Sequence, residues 1–385
     1  MPTPLAAAPP RLFYLDWLRI GAFALLVLYH VGMYYVSWDW HVKSPHASPL
    51  IEPLMRLSYP WRMSLLFLLS GAATVWMLQR RPQGLLRERA ARLLLPLVAG
   101  VCLIVPPQSY FEVLQKAGYA GSYLQFLGLY FTAHGGFCRG SDCLVLPTWN
   151  HLWFLPYLLA YTALLLLLRR VLPLAGLQAL ADRLAALPGW AWWLLPIVWL
   201  ALLRLALLGH FGSTHALVDD WHNHASYFSV FLAGVLLAAR PALLARLEPL
   251  RWPALAVALL AWWGIGVYLE HVRTLPAVPE GLRALQRVAH AALQWSALVA
   301  LLGFARRHLN HDHRWRVPLN EAVFPLYLLH QTLIIVLAMA ALPLALHPAI
   351  EAPLLVLLTF AGALAAWRAL RHAGPLRPWF GLPRP

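Results

Sequence analysis

Acidic residues are scarce in this chain, with 15 Asp and Glu among 385 residues against 30 Lys and Arg. Only 12% of residues are charged, where an ordinary soluble domain carries roughly 25%. There are three cysteines and no Cys-x-x-Cys pair, so a zinc ribbon has no support. Lysine is nearly missing: Lys43 and Lys116 are the only basic residues that are not Arg, which reads as composition without functional weight. No internal repeat stands out. No cleavable signal peptide is evident, because the first apolar block is long, carries charges inside it and is not followed by a small-residue cleavage site.

What the chain does have is apolar sequence in long blocks, 61% of its residues. Blocks of that length, without the single stripe of an amphipathic helix, predict an all-α polytopic integral membrane protein. About ten transmembrane helices are expected, near 12–36, 59–79, 93–113, 149–168, 190–208, 225–239, 252–269, 288–305, 321–342 and 350–367. A Pro/Ala-rich tail over 1–10 is expected to be disordered. One membrane-embedded domain is expected over 11–372, and a cytoplasmic tail over 373–385.

The formal net charge of +15 would suggest nucleic acid in a soluble protein. In a membrane protein the side on which the cations lie is the better question. With the N-terminus inside, 20 of the 30 basic residues fall in inside segments, 7 outside and 3 within spans. That asymmetry satisfies the positive-inside rule with both termini cytoplasmic, and no nucleic-acid partner is expected. Histidines lean the other way, and the outer loops are rich in Trp and Tyr, as in "SWDWH" and "DDWHNHASY". Interfacial belts account for part of this, and a polar, aromatic outer surface also suits a carbohydrate. Cys138 and Cys143 lie in an outer loop, where an oxidising compartment permits a disulfide.

Ionisable groups within spans are costly and usually mark function. The first span, "LDWLRIGAFALLVLYHVGMYYV", holds three: Asp16, Arg19 and His30. Arg19 and His30 are eleven residues apart, close to three whole turns, so they share one face about 16 Å apart along the axis. Asp16 is three residues before Arg19, within reach of an ion pair. Snorkelling would account for Arg19 alone and packing for His30 alone. The aligned pair points to a shared polar channel. His30 falls in the outer half, where a neutral imidazole can take a proton from a hydroxyl. Asn150 and His151 enter their span at the same level. On the inside, "RRPQGLLRERAARLLLP" places Arg89 and Arg92 three apart at a helix entry, fit either for anionic lipid or for a polyphosphate. A base outside and a phosphate clamp inside suit a long, thin donor such as coenzyme A.

At these residues the sequence resembles the acyltransferase 3 family of membrane acyltransferases. The carrying stretches are "YLDWLRIGAFALLVLYH", "WRMSLLFLLSGAAT", "RERAARLLLPLVAGVCLIVPPQSY", "PTWNHLWFLPYLL" and "FPLYLLHQTLI". Within that family the chain is most similar to the group that succinylates periplasmic glucans. The resemblance implies O-acyl transfer from cytoplasmic acyl-CoA to an extracytoplasmic glucan hydroxyl, in a bacterial inner membrane. It implies succinyl as the favoured group and acetyl as the alternative. The donor is then a co-substrate, with no permanently bound cofactor and no metal. Proteins of glucan synthesis are expected partners.

By the resemblance His30 is the catalytic base and Arg19 positions the donor or the surroundings of His30. Arg89 and Arg92 contact donor phosphates. Asp16, Asn150, His151, Trp153, Tyr327 and His330 are expected in the substrate pocket. Arg62 is assigned to the donor, and with Arg204 it is a candidate partner for a succinyl carboxylate, both being intramembrane cations. Donors to a tetrahedral oxyanion are expected from Arg19, Asn150 or Trp N–H groups. An acyl-histidine intermediate is the second route. Many members of the wider family carry an extra soluble domain; few residues follow the last span here, so direct transfer or a partner is expected. A transporter or flippase is the competing reading, from ten spans, intramembrane charges and proline-broken helices. "HALVDDWHNH" has metal-ligand chemistry, but an outer loop that touches glucan or headgroups is the preferred reading.

Overall fold

The computed structural model describes residues 12–80, 83–140, 142–171 and 173–384. The expected disordered tail over 1–10 lies outside the described residues. The elements are helices with one short hairpin. In order they are α1 (Phe13–Tyr35), α2 (Glu52–Ser58), α3 (Arg62–Arg80), α4 (Leu85–Ala99), α5 (Pro106–Lys116) and α6 (Tyr123–Phe131). The hairpin β1 (Cys138–Arg139) and β2 (Asp142–Cys143) follows. Then come α7 (Phe154–Val171), α8 (Leu174–Ala185), α9 (Gly189–Leu207), α10 (Trp221–Ala239) and α11 (Pro241–Leu247). The last four are α12 (Arg251–Val272), α13 (Glu280–His308), α14 (Arg316–Ala341) and α15 (Pro348–Leu370).

Among the described residues eight helices are long and apolar enough to cross a membrane, or nine when the bent pair α4–α5 is counted as one span. The remaining segment expected to span, 225–239, lies in α10. That helix has 19 residues, and Trp221, His222, Asn223 and His224 make its first turn polar. The helix that carries the third expected span begins at Leu85, eight residues before 93, so Arg87, Arg89 and Arg92 lie in its first two turns. Pro106 and Pro107 lack backbone N–H donors, and the chain takes a π turn over Gly100–Ile104, with Val105 N bonding Gly100 O at 2.8 Å. It then bends 42° into α5.

The outward helices carry apolar side chains into the surroundings: Leu194, Leu195, Val198, Trp199 and Leu202 on α9, and Leu260 and Trp263 on α12. Exposed apolar surface on that scale fits a lipid environment. The interior belongs to α1, α3, α10, α13 and α14, whose core includes Phe67, Phe231, Trp295 and Leu328. Two contacts set its spacing. Gly71 of α3 lies against the Phe231 carbonyl and Gly234 of α10 against the Leu68 carbonyl, so these backbones touch. The helices α1 and α14 run side by side in a fixed register: Asp16 meets Arg316, Arg19 meets Asn320, and His30 meets His330. Cys138 and Cys143 form a disulfide across the β1–β2 hairpin.

Candidate active site

The register of α1 against α14 brings three imidazoles together. His30 Nδ1 lies 2.9 Å from the Leu26 carbonyl and 3.1 Å from His330 Nε2. His330 Nδ1 lies 2.7 Å from the Tyr327 carbonyl. A carbonyl only accepts, so both Nδ1 atoms carry the proton, and His330 Nε2 accepts from His30. That leaves His30 Nε2 unprotonated, with no hydrogen-bond partner among the described residues. His151, on the short turn before α7, donates from Nε2 to the Leu328 carbonyl at 3.0 Å. Its ring centroid is 5.1 Å from that of His330.

These groups line a cavity of about 150 Å³ that also receives Arg62 of α3 and Arg204 of α9. The Arg62 guanidinium sits 3.3 Å above the Tyr29 ring. Its Nε and Nη1 and the Nε of Arg204 are buried without hydrogen-bond partners. No Asp or Glu lines the cavity among the described residues. Two unneutralised guanidiniums beside three imidazoles make a site that favours a negative charge.

The ordered loop between α9 and α10 closes one side. Asp220 is fully buried and accepts from the Tyr157 hydroxyl, from Thr214 N at 3.1 Å, from His215 N at 3.2 Å and from Asn223 Nδ2. Held this way, His215 packs on Trp153 with ring centroids 4.3 Å apart, and both line the cavity. Burial lowers the His215 pKa, with Asp220 opposing the shift and Arg62 adding to it.

A second cavity, about 180 Å³, opens beneath the first. Arg19, Arg89, Arg92 and Asn320 line it. Arg89 is buried and donates to the Thr74 hydroxyl of α3. Arg19 donates to the Asn320 backbone carbonyl at 3.2 Å and to its side-chain oxygen, while Asp16 accepts from Arg316 at 2.6 Å and from Asn320 Nδ2 at 3.0 Å. Tyr327 lines both cavities. Its hydroxyl donates to the His151 carbonyl at 2.9 Å, and its ring meets Phe23 and Phe154 edge-on. Tyr327 is therefore the partition between the two chambers.

Nine of the eleven expected site residues thus line one cavity or the other. His30, Arg62, His151, Trp153, Tyr327 and His330 meet in the first cavity, and Arg19, Arg89 and Arg92 in the second. Arg62 does not join Arg89 and Arg92: it starts α3, whose far end leads to α4, so a whole helix separates them. Asn150 lines neither cavity. Its backbone turns at φ 42° and its side chain donates to Gln108 Oε1 at 3.0 Å, so it supports His151 from behind through Gln108. Asp16 also lies outside both, on the Arg316 pair. Of the expected oxyanion donors, only a Trp, Trp153, shares the cavity with His30.

Three lining histidines were not assigned to this cavity from the sequence: His215, His222 and His290. His290 carried a signal as an ionisable group inside an apolar run, while His215 and His222 stood in the "HALVDDWHNH" loop read as touching glucan or headgroups. The "HALVDDWHNH" loop is not built as a metal site. Asp220 is occupied by N–H and O–H donors, and His224 bonds the Leu217 carbonyl at 2.7 Å.

The acyltransferase 3 family model, described as an acyltransferase domain, matches residues 12–368. The chain is also similar to "Glucans biosynthesis protein C" of Escherichia coli strain K12, 26% identical over 155 residues, or 40% of this chain and 38% of that protein. The protein of the same name from Escherichia coli O1:K1 / APEC matches with the same identity and coverage. The chain therefore aligns with well under half the length of these relatives. No solved structure matches.

Proposed function

Because the chain belongs to the acyltransferase 3 family, we propose that it is an acyl-CoA-dependent O-acyltransferase that modifies an extracytoplasmic glucan. The observation that carries this reading is His30 Nε2: unprotonated by its neighbours' geometry, lining a cavity with two arginines, and one aromatic side chain away from a second cavity lined by three. The chain lies in a bacterial inner membrane with ten spans and both termini cytoplasmic. The distribution of basic residues supports this orientation, and it puts the Arg19–Arg89–Arg92 chamber on the donor's side.

The donor's arm enters the inner chamber and its thioester passes Tyr327. The glucan hydroxyl gives its proton to His30 Nε2 as its oxygen bonds the thioester carbonyl carbon. The imidazolium so formed keeps its Nδ1–H between the Leu26 carbonyl and His330. Collapse of the tetrahedral species breaks the carbon–sulfur bond, and the departing thiolate takes the proton back. Arg62 and Arg204 supply the positive charge a developing oxyanion needs. The same pair favours succinyl over acetyl, since a free carboxylate answers their unpaired guanidinium nitrogens.

Two chambers meeting at one side chain also suit a transporter. Proteoliposomes separate the readings. With glucan enclosed and acyl-labelled succinyl-CoA on the cytoplasmic face, label becomes covalently attached to glucan if the proposal holds. Glucan that crosses unmodified overturns it.

A further inference from the structure

The stretch 374–384 folds back beneath the bundle. Residues Gly374–Phe380 form a 3₁₀ turn on α4 and α14. At Gly381 φ is 75°, and a Cβ there would fall 2.0 Å from the Phe324 ring. Only glycine fits, so the chain is pressed onto α14 at that point. Leu382 is 3% exposed and clusters with Ala322 and Trp367. Arg377 reaches towards Glu321 at 4.0 Å. The stretch is therefore a fixed strap, and Gly381 and Pro383 form part of the inner cavity's wall.

Beside the strap is an open hollow of about 660 Å³. Arg92, Gly381 and Pro383 belong to both spaces, so the hollow leads into the inner cavity past Arg92. Arg87 and Arg92 line it from α4 and Arg384 from the strap, with Glu88 the one carboxylate. All three arginines are exposed, and none has a hydrogen-bond or ion-pair partner among the described residues. Their neighbours differ: Arg371 and Arg377 face Glu321, and Arg316 holds Asp16 and Asp312. Independently, the buried Arg89 keeps an unpartnered Nε at the cavity floor.

We propose that this hollow is the site for the phosphate groups of the acyl donor, with Arg87 and the strap residue Arg384 closing on them while the donor's arm threads past Arg92. The inference rests on the donor reading above. It adds a phosphate-binding chamber, and it makes the strap 374–384 a positioning element for the donor. A lipid headgroup phosphate has the same chemistry, and the experiment distinguishes the two.

The test is CoA binding by the full chain in phosphatidylcholine nanodiscs, with pantetheine as the probe that lacks phosphates. Arg384→Glu weakens CoA binding about tenfold, equivalent to ~1.4 kcal/mol, and leaves pantetheine unchanged. Arg307→Glu, the same charge change on an exposed arginine of α13, leaves both unchanged. Gly381→Ala keeps every charge and still weakens CoA, because the strap is displaced. The proposal is overturned if Arg384→Glu binds CoA like wild type, or if pantetheine is weakened equally. It is also overturned if the only change is lower retention of phosphatidylglycerol in mixed-lipid nanodiscs, which would make the hollow a headgroup site. Failure of the wild-type chain to bind CoA at all removes the donor reading itself, and the two failures are thereby told apart.

Discussion

Replacing Gly71 or Gly234 with Ala tests how the bundle holds the cavity around His30. A Cβ at Gly71 would stand 2.0 Å from the Phe231 carbonyl oxygen, and one at Gly234 would stand 2.0 Å from that of Leu68. Ordinary contact begins at 3.4 Å. Both obstacles are helix backbone and do not swing aside, so α3 and α10 must separate by about 1.4 Å. Overpacking of this kind costs about 1–3 kcal/mol. The separation also carries Arg62, on α3, away from His222 and Asn223, on α10, across a cavity of about 150 Å³. A misplacement of about 1 Å at a reacting centre can cost on the order of 100-fold in rate. Each variant should therefore lower the melting temperature in detergent and reduce acyl transfer by one to two orders of magnitude. The double variant should cost less than the two singles together, since one displacement relieves both contacts. Gly264→Ala is the control: nothing lies within 4 Å of its new Cβ, and helix propensity alone favours it by up to ~1 kcal/mol. Wild-type melting and wild-type turnover in both Gly71→Ala and Gly234→Ala would refute the reasoning.

Other expectations follow from the same geometry. Arg62→Lys keeps a charge but loses the planar stack on Tyr29; with succinyl-CoA kcat/KM should fall about tenfold to a hundredfold more than with acetyl-CoA, and equal losses would remove the carboxylate role. Asp220→Ala strands the Tyr157 hydroxyl and the Thr214 and His215 amides; about 2–4 kcal/mol of stability should be lost, with proteolytic nicking appearing in the 208–220 loop, and an unchanged digestion pattern would contradict this. Burial lowers Lys43 to a pKa of about 8, partly offset by Asp39, with Lys116 lowering and Glu52 raising it further. Between that value and roughly 10.4 in the unfolded chain, the native lysine has shed its proton while the unfolded one holds it, so native stability rises with pH. Lys43→Met should abolish this rise; a melting-temperature difference between the two proteins that stays constant from about pH 7 to about pH 10 would refute the assignment.

The sequence made the helical membrane architecture legible because length and hydropathy alone decide it. Arg19 and His30 were legible as a pair because an eleven-residue spacing fixes a helix face. Arg62 was harder. Its charge inside a span was visible, but the chamber it serves depends on which end of α3 it occupies, and its place beside His30 arises only when α1, α3 and α9 are packed. His215 and His222 stood in a loop whose polar residues were visible, but nothing local placed them beside His30. They reach the cavity because Asp220 gathers backbone and side-chain donors into a loop, a three-dimensional arrangement without periodicity. Asn150 illustrates the reverse case: it sits beside His151 in sequence, and its positive φ turns its side chain away to Gln108. The strap was read as a tail because Pro-rich sequence carries no helical pattern, while Gly381 and Leu382 dock it through contacts made only in the folded chain.

The most direct test of the account is to express wild type and His30→Ala at matched membrane levels in cells lacking the native protein, and to take mass spectra of the extracytoplasmic glucans. The account predicts an added acyl mass with wild type, which also names the group transferred, and none with His30→Ala. Equal acylation by both proteins would show that His30 is not the base and would contradict the central claim.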